Sequence, residues 1–300
     1  MKLRPPFLVC LRPKGFLLLF LIVVLPNVGF SQIKKDSLFL QYLLANDQHR
    51  QAVTLLSQLQ GRYSDSVQQR FELPYWKGSS YYALRQLDSA AHYLGSVRLG
   101  SSYYHKSLFL AGISHGYLRQ FPSAHRIFLS IPTNKNDTIT AAVKTFELAG
   151  VALLQRRLTD FDSLSGHFST QYYALQKQQS NFRDYREIIE KQSRKSPLKA
   201  ALLSAIVPGA GKLYVGGQLG QALSAFFQNA ILGIQAYESF RKGGLASPRF
   251  IIYGSLFAVF YVGNIWGSAL SVKIKRQEFN DKTDEQILFD MHIPLRTIFN

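Results

Sequence analysis

The sequence predicts an all-α protein, a helical solenoid followed by a transmembrane helical hairpin, and three observations carry that prediction. Apolar residues recur at helical spacing from about residue 36 to residue 191, interrupted briefly at Gly61, Pro74, Gly100, Pro122 and Pro132. Within that span a pattern of small and large residues returns after 34 positions. Residues 250–272 then form an uncharged run of 23, about 35 Å as a helix and enough to cross a bilayer with some tilt. Composition agrees, since 47% hydrophobic and 13% aromatic residues are too many for a disordered chain. The mean hydropathy of −0.03 is then the average of a polar region and an apolar one.

Residues 1–31 read as a signal peptide. Lys2, Arg4, Arg12 and Lys14 precede an apolar stretch from Phe16 to Leu25. Pro26 and Asn27 break that stretch, and Gly29 and Ser31 take the −3 and −1 places of a cleavage site. Ten apolar residues span about 15 Å, short of a hydrocarbon core of about 30 Å. The lone cysteine, Cys10, lies before the apolar stretch, so neither a lipoprotein anchor nor a disulfide scaffold is expected. The expected location is the cytoplasmic (inner) membrane of a bacterial cell envelope, with the following domain in the periplasm.

Residues 32–195 form the repeat region. Gly78, Tyr81, Leu87, Ala90 and Leu94 return 34 positions later as Gly112, His115, Phe121, Ala124 and Phe128. Small residues suit places where two helices cross closely, and large ones fill the space between neighbouring pairs. Ala52 with Leu56 marks a weaker unit before these two, and Gly150 one after them, with Asp162 where a small residue is expected. Four units result, enough to bury faces that one pair leaves open. Residues 171–193, with Tyr172, Leu175, Phe182, Tyr185, Ile188 and Ile189, read as a closing helix. The spacing and residue pattern resemble the tetratricopeptide repeat. That resemblance implies a superhelix whose first helices line a concave, protein-binding groove. Carried over, the groove residues are Tyr75, Ser79 and Tyr82 in one unit and Lys106, Phe109, Ile113 and Tyr117 in the next. Pro74 departs from the pattern and should delay the start of its helix.

Residues 196–275 read as a membrane domain. Residues 219–237 are apolar but carry Gln221, Gln228 and Gln235 at intervals of seven, so the three amides share one face. That face is expected to pack on protein, with Tyr261, Asn264 and Ser268 as partners. Gly263 and Gly267 form a GxxxG that permits helix–helix association in the membrane. Ahead of both helices, Pro208, Gly209, Gly211, Tyr214 and Gly216 punctuate a re-entrant or interfacial segment. Pro208, Gly209, Gly211 and Tyr214 resemble the PGxGxxY signature of an uncharacterised bacterial family of envelope membrane domains often found behind tetratricopeptide repeats. Residues 276–300 read as a polar tail.

The 35 Lys and Arg against 18 Asp and Glu give a net charge of +17, which falls to +13 without the signal peptide. For an exported chain this favours anionic lipid or an acidic protein partner and excludes nucleic acid. The GAGK at 209–212 lacks the Ser/Thr of a phosphate-binding loop, no serine sits in a GxSxG elbow, and the seven histidines show no HExxH spacing. No catalytic residue, metal ligand or cofactor is therefore predicted. The expected function is a non-enzymatic, membrane-anchored envelope adaptor whose periplasmic repeats bind a protein partner. The alternative is a membrane component that binds a lipid or small solute through its Gly-rich segment and hairpin.

Overall fold

The computed structural model describes residues 32–134, 136–216 and 219–299; the predicted signal peptide, 1–31, lies outside the described residues. The chain is all-α. Helix α1 covers residues 32–45, followed by α2 (His49–Arg62), α3 (Asp65–Arg70), α4 (Leu73–Ala83), α5 (Leu87–Gly95), α6 (Tyr104–Tyr117) and α7 (Phe121–Ser130). Then come α8 (Thr138–Leu154), α9 (Leu158–Ser165), α10 (Tyr173–Ser193), α11 (Pro197–Ile206), α12 (Ala210–Val215), α13 (Leu219–Gly243) and α14 (Pro248–Ile298). The described residues fall into two compact units, divided between Gln120 and Phe121.

One turn recurs four times among the described residues. Asp47, Arg85, Arg119 and Arg156 all have φ between 55 and 60°, the left-handed region. After each, the next amide reaches back to a carbonyl in the last turn of the helix: Gln48 to Leu43 (2.8 Å), Gln86 to Tyr81 (2.9 Å), Gln120 to His115 (2.9 Å) and Arg157 to Ala152 (2.8 Å). This is a Schellman-type stop, which satisfies carbonyls that a helix end leaves open. A new helix begins two residues after each left-handed residue, and α1/α2 and α4/α5 in the first unit and α8/α9 in the second follow one another as helix pairs.

In the first unit, α4 and α5 cross where the repeat pattern places its small residues. A β-carbon at Gly78 would lie 2.7 Å from Leu94 Cγ and 2.9 Å from its backbone nitrogen. Ala52, Ala90 and Leu94 have no exposed surface. Pro74 acts as expected. A continuous helix would drive its ring against the Arg70 carbonyl, so α3 ends at Arg70 and α4 restarts at Leu73 with Pro74 in its first turn. Glu72 takes the left-handed bend between them, and its carboxylate accepts hydrogen bonds from Ser101 Oγ (2.6 Å) and the Ser102 amide (3.3 Å).

In the second unit, α8 is the core helix, with Phe146 stacked on Phe182 of α10 at 4.4 Å between ring centroids. The degenerate fourth pair has a second helix of only 8 residues, α9, which buries Phe161 while Asp162 pairs with Arg186 at 2.9 Å. The predicted closing helix is α10, which buries Leu175, Phe182 and Ile189.

The segment read as a polar tail is the last part of α14. This helix runs unbroken for 51 residues, about 77 Å, from Pro248 to Ile298. Its first half is long and apolar enough to cross a membrane. Its second half buries Ile287, Leu288, Met291 and Leu295. Met291 packs on Gly150 of α8, where a β-carbon would lie 2.6 Å from its sulfur. Asp284 pairs with Arg156 at 2.8 Å, and Asp290 accepts from Asn181 Nδ2 and Tyr185 Oη of α10, both at 2.9 Å. Burial and the Asp290 hydrogen bond together raise the Tyr185 phenol above its ordinary value.

Candidate functional site

The signature residues 208–216 form an elbow between α11 and α13, and each of them has a structural task. Ser196 caps α11, its side chain accepting from the Lys199 amide, and Pro197 fixes the first turn. Pro208 ends the helix because it has no amide hydrogen to give the Ser204 carbonyl four residues earlier. α14 supplies donors in its place. Asn264 Nδ2 donates to the Ser204 carbonyl at 3.5 Å, and Tyr261 Oη donates to the Ala205 carbonyl. Ser268 Oγ bonds Ser204 Oγ at 2.7 Å, and Ser204 Oγ also accepts from the Gly211 amide at 3.0 Å. A broken helix in an apolar setting requires such replacement donors.

The glycines are there because backbone occupies the space beside them. Gly209 has φ +90°, and a β-carbon on it would lie 2.2 Å from the Ala222 carbonyl oxygen of α13. On Gly211 it would lie 2.1 Å from the Ala200 oxygen of α11. Tyr214 packs on Ala200, Val215 and Val272, and its hydroxyl accepts the Ser196 amide at 3.1 Å, tying the end of the elbow to its beginning. Gly216, at φ +85°, closes α12, and Lys195 Nζ caps that end by donating to the Val215 carbonyl at 3.0 Å. Arg276 of α14 in turn donates to the Lys195 and Ser193 carbonyls at the end of α10.

Two expectations about this region need correction. Gln221, Gln228 and Gln235 are exposed rather than buried against another described helix. The buried stripe of α13 is Ala222, Ala225, Asn229 and Ala236, because small residues allow close approach to α14. Tyr261, Asn264 and Ser268 serve α11 instead, since the carbonyls released by Pro208 lie within their reach. Among the described residues nothing lies within 4 Å of a notional β-carbon on Gly263 or Gly267, so the GxxxG is not a place of close helix approach there.

The predicted groove divides in two. Tyr75 is 3% exposed, stacked on Tyr103 at 3.9 Å, and burial pushes its phenol up to about 12. Phe109 and Ile113 have no exposed surface. These three are interior residues, withdrawn from the groove because large apolar side chains on a first helix fill the space toward neighbouring helices. Ser79, Tyr82 and Lys106 are half-buried and Tyr117 is exposed. Partial burial lowers the Lys106 ammonium from its ordinary value.

Sequence reasoning missed Ser204, Arg156, Asp284, Asp290 and Met291, which hold the second unit together. It also missed Glu147 of α8, a carboxyl with no exposed surface and no hydrogen-bond partner among the described residues. Burial raises its pKa well above the carboxylate range. Comparison of the chain with protein-family models, with curated proteins and with solved structures gave no match.

Proposed function

We propose that this chain is a non-enzymatic, membrane-anchored adaptor of the bacterial cell envelope, whose tetratricopeptide-like repeats bind a protein partner in the periplasm. The observation that carries the reading is the continuity of α14. It starts among exposed apolar side chains, including Ile251, Leu256, Val259, Phe260, Val262 and Trp266, and ends seated on α8 and α10. Most of the large apolar side chains exposed among the described residues lie between Leu198 and Ile274, a surface that a lipid bilayer would cover. In this reading α13 and α14 span the membrane as a hairpin and α11–α12 lie at its interface. One continuous helix then joins α8 and α10 to the anchor, as an adaptor needs.

The partner meets the first unit at Tyr82, Lys106 and Tyr117, the aromatic and basic members of the predicted groove that remain outside the core. The lipid- or solute-binding alternative is less favoured, because the space beside Gly209 and Gly211 is filled by carbonyls of the same chain. Affinity capture with the full chain in mild detergent tests the proposal, with Tyr82→Ala/Tyr117→Ala as one comparison and Gly263→Ala as the other. A protein recovered with the parent and with Gly263→Ala, and lost with the double variant, supports the adaptor. Recovery of no protein above background, from preparations whose repeats resist proteolysis, would sink it.

A further inference from the structure

The exposed amides of α13 are the feature that the fold itself does not use. Gln221, Gln228 and Gln235 are exposed, and their side-chain amides make no hydrogen bond to any described residue. Seven residues advance an α-helix by 20° less than two turns, so the three form one slowly winding stripe. Ser224, also exposed, lies on the same face. From residue 221 to residue 235 the stripe covers about 21 Å of helix, most of a hydrocarbon core of about 30 Å. Leu223, Phe226, Phe227, Ile231 and Ile234 are exposed around the rest of the helix and suit lipid. Primary amides do not, because hydrocarbon offers no hydrogen-bond partner.

We propose that α13 pairs in parallel with α13 of a second copy of this chain through Gln221, Gln228 and Gln235, an inference that rests on α13 spanning the membrane. Two features of the stripe select a second copy over another partner. A primary amide is both donor and acceptor, so each glutamine is the complement of its own counterpart. Two copies with the same topology can meet in the membrane only in parallel, which sets each glutamine opposite itself at the same depth. A seven-residue interval is also the repeat of left-handed pairs crossing near 20°, so all three levels engage together. The interface is isologous and closes as a dimer.

The test is cysteine crosslinking in native membranes, in a full-length chain whose one native cysteine, Cys10, is replaced by serine. Single-cysteine variants are Gln221→Cys, Gln228→Cys and Gln235→Cys on the stripe, Leu223→Cys and Ala230→Cys on other faces, and Gly263→Cys in the GxxxG. Oxidative crosslinking of the three stripe variants, with little at the other positions, is the expected result. The triple variant Gln221→Leu/Gln228→Leu/Gln235→Leu raises the apolarity of α13 and so preserves insertion, and is expected to weaken association at least about tenfold. A crosslink confined to Gly263→Cys, or association unchanged in the triple variant, overturns the proposal. Labelling of the Gln228→Cys variant by a membrane-impermeant maleimide before detergent is added overturns the membrane reading beneath it. A cysteine protected from that reagent but never crosslinked overturns the dimer alone.

Discussion

Replacing Gly150 with alanine should change sign with its neighbour, and that reversal tests whether the second half of α14 is seated on α8. A β-carbon at Gly150 would lie 2.6 Å from Met291 Sδ and 2.8 Å from Cγ. Met291 has no exposed surface, so its thioether cannot swing into solvent to make room. Overpacking of this kind costs about 1–3 kcal/mol. Alanine recovers about 1 kcal/mol over glycine within a helix, so Gly150→Ala alone should destabilise by about 1 kcal/mol. Met291→Ala removes three buried heavy atoms and should cost about 2–5 kcal/mol. With methionine gone the clash is gone, while the propensity gain remains and the new methyl fills part of the void. Gly150→Ala added to Met291→Ala should therefore stabilise by about 1 kcal/mol, a coupling near 2 kcal/mol. Denaturant titration of the full chain in mild detergent, read by limited proteolysis, measures all four corners of the cycle. An effect of Gly150→Ala equal in sign and size in both backgrounds would refute the contact.

Three further substitutions probe other parts of the chain. Gly211→Ala should destabilise the elbow by about 3 kcal/mol, because the Ala200 carbonyl it meets is backbone, whereas Gly263→Ala, with open space around it, should be neutral; the fraction surviving a heat step in detergent reads both. Arg85, exposed and held at φ 58°, should become more stable by about 0.5–1 kcal/mol as glycine but not as alanine, measured as a shift in unfolding midpoint. Glu147 keeps its proton in the folded chain at pH values where the unfolded chain releases it, so stability should fall as pH rises from about 4.3 through the raised folded pKa. Glu147→Met should remove that slope and be the more stable form at neutral pH, and a variant that retained the parent's pH profile would refute the assignment.

What the sequence made legible followed from residues whose physics is local. Gly78 opposite Leu94, the late start imposed by Pro74 and the arrest of α11 by Pro208 are each consequences of one side chain, or its absence. The left-handed turns were legible in principle, since Leu84-Arg85-Gln86 returns as Leu118-Arg119-Gln120, but arginine is not a residue that signals a turn. The amide stripe of α13 was located correctly and assigned to the wrong side. Periodicity tells which residues share a face, and only packing tells which face is buried. Here the small residues Ala222, Ala225 and Ala236 permit a closeness that glutamine would prevent. The end of α14 was misread because Lys273, Lys275, Arg276, Asp281 and Lys282 hide a four-residue rhythm of Thr283, Ile287, Met291 and Leu295, and Pro294 suggests a break. Near a C-terminus that proline removes one hydrogen bond and leaves the helix intact.

The seating of α14 also constrains how the proposed membrane anchor would be threaded. Residues 283–295 pack against α8 and α10, so in the proposed anchor whatever lies between Ser193 and Lys273 would have to leave and return to one side. Under the proposed anchor, in which α13 joins α14 in the membrane although α14 is the one described helix long and apolar enough on its own, an even number of crossings is expected and α11–α12 would not be a third span. Lys191, Arg194, Lys195, Lys199, Lys273, Lys275 and Arg276 then share the side of the repeats, against Arg241, Lys242 and Arg249 at the hairpin turn. That distribution runs against the usual excess of positive charge in the cytoplasm. The structure gives most of those residues another reason to be where they are. Lys195 and Arg276 cap the carbonyls that end α12 and α10, and Lys191, Arg194 and Lys275 pair with Glu187, Glu190 and Glu278. Charges required by helix ends carry less information about orientation than charges free to vary. In the proposed topology the orienting role would fall to the apolar segment from Phe16 to Leu25 and the four basic residues before it.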